Sequence, residues 1–395
     1  MKQQHRFFCA LCALLLLVSA VFPAAAFAAQ ADGADAASAQ TLTADDAARM
    51  QQADAAVTAL TSSETYAEMD DTARQDAAVA QLEQLAAKGL VERGSIHADP
   101  DNKMVSFSYP CGVLGGILLE DPATEELDQE NTEVIGGMPA LPDPSQLYVS
   151  KPSMRHAENQ SVEPFGKAVI YYAFDNTINS SRYPYYSYMK NFWTAMGLDT
   201  KLDINVTVAN LKKMDQYDLC ILSAHGNYYT YTTGRLFKKT RTESILLLNE
   251  ESNFGKDMKY AFDLLGHRII KVNGRYCVTS GFFRNNYRKN QLKNTIVYSE
   301  TCEFLGVDGS EDNAMADALL SGGAKAVIGY VNNVYTVYSR SMLWDTVNHL
   351  IMGQNIGQAL AHAKETYGED DLVWYYAQGG LRPHAAASYA VLYGS

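Results

Sequence analysis

Two stretches decide the fold: Asp218-Leu-Cys-Ile-Leu-Ser-Ala-His225-Gly226 and Asn294-Thr-Ile-Val-Tyr-Ser-Glu300-Thr-Cys302. Each is an apolar run of strand length that stops at a polar, reactive side chain. A strand that is apolar on both faces suits the inside of a parallel sheet, and in such sheets ligands gather at the carboxyl ends of the strands. An imidazole and a thiol delivered there make a cysteine nucleophile assisted by a histidine the leading expectation.

Outward from these runs the pattern repeats. Segments 167–174, 267–272 and 325–330 read as further strands, and 183–196, 312–320, 337–352 and 356–367 read as helices. The alternation predicts an α/β domain over 166–395 with a mainly parallel sheet covered by helices. Upstream, a helix is expected from Thr43, with Asp45 and Asp46 at its amino end, and a second over 64–88, stopped by Gly89. Residues 104–109 and 113–119 alternate as a hairpin would, turned by Pro110-Cys-Gly112. Between the two regions, 121–165 carries six of the eleven prolines and reads as an acidic linker.

Residues 1–28 have the pattern of a secretory signal. Lys2 and Arg6 precede an apolar core over 7–21, and Ala26-Phe27-Ala28 forms a cleavage box. The expectation is therefore an exported protein, secreted or held at the cell surface. Cys9 and Cys12 would leave with the signal. Cys111, Cys220, Cys277 and Cys302 remain, without the dense spacing of a disulfide framework. Cys220 and Cys277 sit inside apolar runs and read as buried structural residues, whereas Cys302 ends a strand beside polar groups.

The formal net charge of −13 argues against nucleic-acid binding. That charge is uneven. Acidic residues outnumber basic ones by about 17 over 29–165, while 166–395 is close to neutral, which marks distinct segments. The division expected is a signal at 1–28, a helical and hairpin segment at 29–120, the linker at 121–165 and the main domain at 166–395.

Strand, His-Gly, a long gap, strand, then an acidic residue two before Cys: this order resembles the cysteine peptidase clan of caspases, metacaspases, legumains, clostripain and gingipains. The stretch from Met315 to Gly329 and the later Gly353-Gln-Asn-Ile-Gly-Gln-Ala-Leu-Ala-His-Ala-Lys364 are similar to the carboxyl half of gingipain-like and CHAT-type members. The resemblance covers about 166–395. It implies a three-layer αβα caspase–hemoglobinase-like sandwich with a mostly parallel sheet, preceded by a helical and β-hairpin segment. It also implies a secreted cysteine endopeptidase acting on polypeptides, made as a zymogen.

Under that resemblance Cys302 is the nucleophile and His225 its general base and acid. The N–H groups of Gly226 and Cys302 would form an oxyanion hole. Glu300 would pair with Arg or Lys at P1, as an acidic residue at that offset does in metacaspases and clostripain, and Asp175 would line the same S1 pocket. Asp175 also reads as a cap for the following helix, and Glu300 equally as a carboxylate satisfying loop amides. Arg155 is the candidate processing site, and 29–120 reads as an accessory segment or as a propeptide that inhibits intramolecularly. The basic stretch 235–241 reads as a solvated loop, and the dense tyrosines as core packing.

No cofactor and no metal are expected. His97, His156, His267, His349, His362 and His384 show no ligand spacing in the sequence and read as surface or core residues. Oligomeric state is left open. The competing expectation is a non-catalytic secreted surface or binding protein that retains the peptidase fold.

Overall fold

The computed structural model describes residues 41–119, 166–174, 185–233, 239–288, 290–377 and 386–394. The signal-like segment 1–28, the linker 121–165 with Arg155, and Asp175 lie outside the described residues.

Helix α1 (Ala44–Thr61) opens with a capping box: Thr43 accepts the Asp46 N–H while the Asp46 carboxylate accepts the Thr43 N–H. The single helix expected over 64–88 is in fact two, α2 (Glu64–Ala67) and α3 (Asp71–Ala87). Asp70 divides them, because its side chain accepts the Ala73 N–H at 2.8 Å and caps a new helix. Strands β1 (His97–Asp99), β2 (Met104–Ser108) and β3 (Leu114–Leu118) follow, antiparallel in sequence. The β2–β3 turn closes with Tyr109 N–H on Val113 C=O at 2.8 Å, and Gly112 supplies the left-handed conformation it needs, φ +88°.

The second half begins with β4 (Lys167–Tyr172), α4 (Tyr185–Ala195), β5 (Asp199–Asp203), α5 (Val208–Leu211) and β6 (Leu219–Ser223). Next come β7 (Gly226–Thr233), β8 (Lys239–Glu251), α6 (Phe254–Lys259), α7 (Ala261–Leu265), β9 (Ile269–Val272), β10 (Arg275–Thr279) and α8 (Ser280–Asn286). The chain continues through β11 (Ile296–Ser299), the small hairpin β12 (Gly306–Val307) and β13 (Ser310–Glu311), α9 (Ala314–Ser321) and β14 (Ala326–Val331). Helices α10 (Thr336–Ile351), α11 (Ile356–Tyr367) and α12 (Asp371–Ala377) precede the last strand, β15 (Tyr389–Gly394).

The central sheet has the order β15-β14-β11-β6-β4-β5. Five of its strands are parallel, and β15 runs antiparallel on the β14 edge. Alternation along each strand sorts the apolar residues to opposite faces. Ile170, Ile221, Tyr298 and Ile328 pack with Met189 and Trp193 of α4, Val347 of α10, Leu360 of α11 and Trp374 of α12. Val169, Cys220, Val297 and Val327 pack on the other side with Leu211 of α5, Phe282 of α8 and Leu319 of α9. The architecture is thus α/β, three layers around a mostly parallel sheet.

A second sheet has the order β1-β2-β3-β9-β10-β8-β7. Its β3–β9 pair is parallel and joins the hairpin near the amino terminus to strands from the second half of the chain. The tyrosines at 171, 172, 186, 228, 229 and 231 are all buried, as are Cys111, Cys220 and Cys277.

Candidate active site

Strands β6 and β11 are parallel neighbours, with Leu222 opposite Ser299. Counting three residues onward on each strand reaches His225 and Cys302. Pairing persists past the strand ends, since the Glu300 N–H bonds Leu222 C=O at 2.9 Å. Adjacent strands in register thus deliver the imidazole and the thiol to one edge of the sheet.

Contact between the two turns is closest at Gly226. A Cβ built there would stand 2.0 Å from the Cys302 carbonyl oxygen and 2.4 Å from Thr301 Cγ2. No side chain fits, and this is the physical reason for glycine after His225. Gly226→Ala should therefore push the Cys302 turn away, destabilising the protein by about 1–3 kcal/mol as overpacking does. Thermal melting and the alkylation rate of Cys302 measure the two effects.

Register also orients the Gly226 amide. Leu247 N–H bonds His225 C=O at 2.9 Å, so Gly226 and Leu246 form a non-hydrogen-bonded pair of the β7–β8 ladder. The Gly226 N–H consequently points away from β8, toward the open edge of β7. The next amide of that set, Tyr228 N–H, is accepted by Glu303 Oε2 at 3.1 Å. Glu303 is buried beside Cys302 in the left-handed region, φ +53°, and its own N–H bonds Asn332 C=O at 2.9 Å. It ties the cysteine turn to β7 and to the end of β14. Sequence reasoning missed Glu303; an acidic residue directly after the candidate nucleophile was the available signal.

Cys302 is partly buried, and its Sγ accepts the Val334 N–H at 3.4 Å. A backbone donor at that distance favours negative charge on sulfur. His225 is half-buried, with the Phe174 ring edge-on 4.5 Å away between centroids. Burial first, and the Arg275 guanidinium second, push the His225 pKa down to about 3. At neutral pH the ring is therefore uncharged, and so low a pKa makes it a weak base in this state; proton transfer from a thiol needs a nearby negative charge, such as the forming thiolate, to raise it.

Glu300 lies deeper. It is buried, and the Tyr186 hydroxyl donates to Oε2 at 3.0 Å while Ser223 donates to that hydroxyl at 2.9 Å. Burial raises the Glu300 pKa to about 7, with Arg340 pulling in the opposite direction. Arg340 is itself buried, its guanidinium 5.1 Å from the Tyr185 ring centre and 5.5 Å from that of Tyr186. Glu300 is thus an internal carboxylate whose ionised form is favoured by the charge of the buried Arg340 guanidinium.

This pairing has a pH signature. Arg340→Ala removes the charge that opposes the upward shift, so Glu300 in the folded variant holds its proton to higher pH. The destabilisation should therefore grow as pH rises through about 7, where the wild-type carboxyl ionises, by more than about 1 kcal/mol between pH 6 and pH 8.5. Urea denaturation at the two values measures the difference.

The structure also groups residues that the sequence reading dismissed. Asp345 and His349 lie one turn apart on α10, and His362 of α11 meets them. The signal was the i, i+4 spacing of Asp345 and His349, but the third member becomes visible only when the two helices pack. No protein-family model matches this chain, and no curated protein matches it either.

Proposed function

We propose that residues 166–395 form a caspase–hemoglobinase-like cysteine endopeptidase, exported by the 1–28 segment and acting on polypeptides. The observation that carries this reading is the placement of His225 and Cys302 three residues beyond a register pair on adjacent parallel strands. In the proposed reaction the His225 ring takes the Cys302 proton as sulfur attacks the scissile carbonyl carbon. The resulting oxyanion is met by the Gly226 and Cys302 N–H groups. Collapse breaks the C–N bond, and His225 gives its proton to the leaving amine. Water then attacks the thioester with His225 again as base, releasing the acid and restoring the thiol.

Cleavage after Arg or Lys is part of the proposal. It draws on the acidic residues at Glu300 and Asp175; Glu300 is buried within reach of the Arg340 charge, and Asp175 lies outside the described residues. Processing at Arg155 would leave 43–119 attached, because β3 pairs with β9 and strands from either side of the cut share one sheet. Under this reading an inhibitory role belongs to the linker near the cut more than to the hairpin.

A panel of fluorogenic peptides with Arg, Lys, Asn or Asp at P1 tests the reading on the mature chain, intact and trimmed. Cleavage after Arg or Lys that iodoacetamide abolishes is the expected result. Cleavage after Asn or Asp would retain the mechanism and remove the basic preference. No thiol-sensitive cleavage in any form would favour the non-catalytic reading.

A further inference from the structure

A three-residue group lies on the helical layer, built from α10 and α11 alone. We infer that Asp345, His349 and His362 form a binding site for a first-row divalent cation of the zinc type, clamping α10 to α11. Each residue offers one ligand atom, and these atoms all lie within 4.8 Å of one another. Asp345 Oδ2 is 2.7 Å from His362 Nδ1, and Asp345 Oδ1 is 3.8 Å from His349 Nε2. Donor atoms about 3.3 Å apart are what a tetrahedral ion with bonds of about 2.0–2.1 Å requires, so the spacing needs only small side-chain adjustments.

A second observation points the same way. The His349 ring centre is 3.8 Å from that of His362, and its Nε2 is the nitrogen on the Asp345 side. A hydrogen-bonded clasp between the helices needs only Asp345 and His362, and it leaves that imidazole unexplained. A metal ion gives both rings and the carboxylate a common partner.

The donor set selects the ion. Two imidazoles and one carboxylate favour zinc, cobalt, nickel or copper over calcium and magnesium, which prefer all-oxygen shells. His362 is 43 % exposed, against 14 % for His349 and 17 % for Asp345. The site therefore opens to solvent on the His362 side, where water can complete the coordination. The helix it would fix also carries Arg340, whose charge favours ionised Glu300, and it begins two residues after Val334, the donor to Cys302. The inference does not depend on the proposed peptidase activity.

The test uses the mature chain carrying Cys302→Ala, so that the thiol and His225 cannot compete for metal. After chelator treatment, zinc is titrated by calorimetry, and cobalt is followed by its visible ligand-field absorption. We expect one ion per chain with a dissociation constant tighter than about 10 μM. His362→Ala, at an exposed position, should weaken zinc binding by at least about 100-fold, because even outer-shell partners of a metal contribute 10–100-fold. Zinc should raise the melting temperature of the parent and leave that of His362→Ala unchanged. His349→Gln supplies the second ligand test, and its circular dichroism reports whether it folds. Binding weaker than millimolar in the parent, or affinity unaltered in His362→Ala, would overturn the inference.

Discussion

Cys302→Ala is expected to lower peptide cleavage by at least about 10⁴-fold, with the folded structure retained. The two halves of that result separate a catalytic thiol from a structural one. Cys302 is partly exposed, and the contacts of its sulfur include the N–H and C=O of Val334 at 3.4 and 3.9 Å. Losing a weak hydrogen bond of this kind costs about 1 kcal/mol, which shifts the melting temperature by only a few degrees. A nucleophile, in contrast, has no substitute in the site. His225→Ala should reduce the rate by about 10²–10⁴-fold, the usual contribution of a positioned acid and base. The double variant should be little worse than Cys302→Ala alone, because the two groups act in one step. A peptide assay with circular dichroism on the same samples checks all three.

The second large effect is on stability. Lys271→Ala should destabilise the protein by about 3–5 kcal/mol, the cost of leaving buried charge without its partner. Lys271, in β9, is 1 % exposed; its Nζ lies 2.6 Å from Asp54 of α1 and 2.8 Å from Asp257 of α6. Tyr109 donates to Asp54, Tyr276 donates to Asp257 at 2.7 Å, and Gln51 donates to Asp257 at 2.9 Å. One ammonium therefore joins α1 and the hairpin end to strands from the second half. Lys271→Met fills the volume but strands the same two carboxylates, so it should recover little of the loss. Urea denaturation provides the value. A loss under about 1 kcal/mol in both variants would mean that solvent reaches the carboxylates and that the amino-terminal segment is held by its apolar contacts alone.

Much of the fold was legible because its central strands are apolar on both faces. The segments expected at 218–223, 295–299 and 325–330 correspond to β6, β11 and β14, which lie inside the sheet with neighbours on both sides. The edges were not read. β5, Asp-Thr-Lys-Leu-Asp at the sheet margin, has too little apolar surface to stand out, and β15 pairs on one side only. The β7–β8 hairpin did carry a signal, a run of tyrosine and threonine that favours strands, but it was taken as core packing without an element assigned.

The site divides along the same line. The positions of His225 and Cys302 just beyond β6 and β11 were legible because each follows from its own apolar run and needs no long-range knowledge. The surroundings of Glu300 were not, since Tyr186 and Arg340 reach it from α4 and α10, 114 and 40 residues away along the chain. Glu303 and the Asp345, His349 and His362 group were missed for the same reason. Their meaning depends on which elements pack together, and a periodic pattern says nothing of that.

The most direct test of the central claim is covalent labelling with a peptidyl acyloxymethyl ketone carrying Arg at P1, read by intact and peptide mass. Cys111, Cys220 and Cys277 serve as internal controls, because all three are buried and burial pushes their thiol pKa values up. The account predicts one adduct per chain, located on Cys302, with the other three thiols unmodified and the adduct lost in His225→Ala. Unmodified Cys302, or labelling at the same rate without His225, would contradict it.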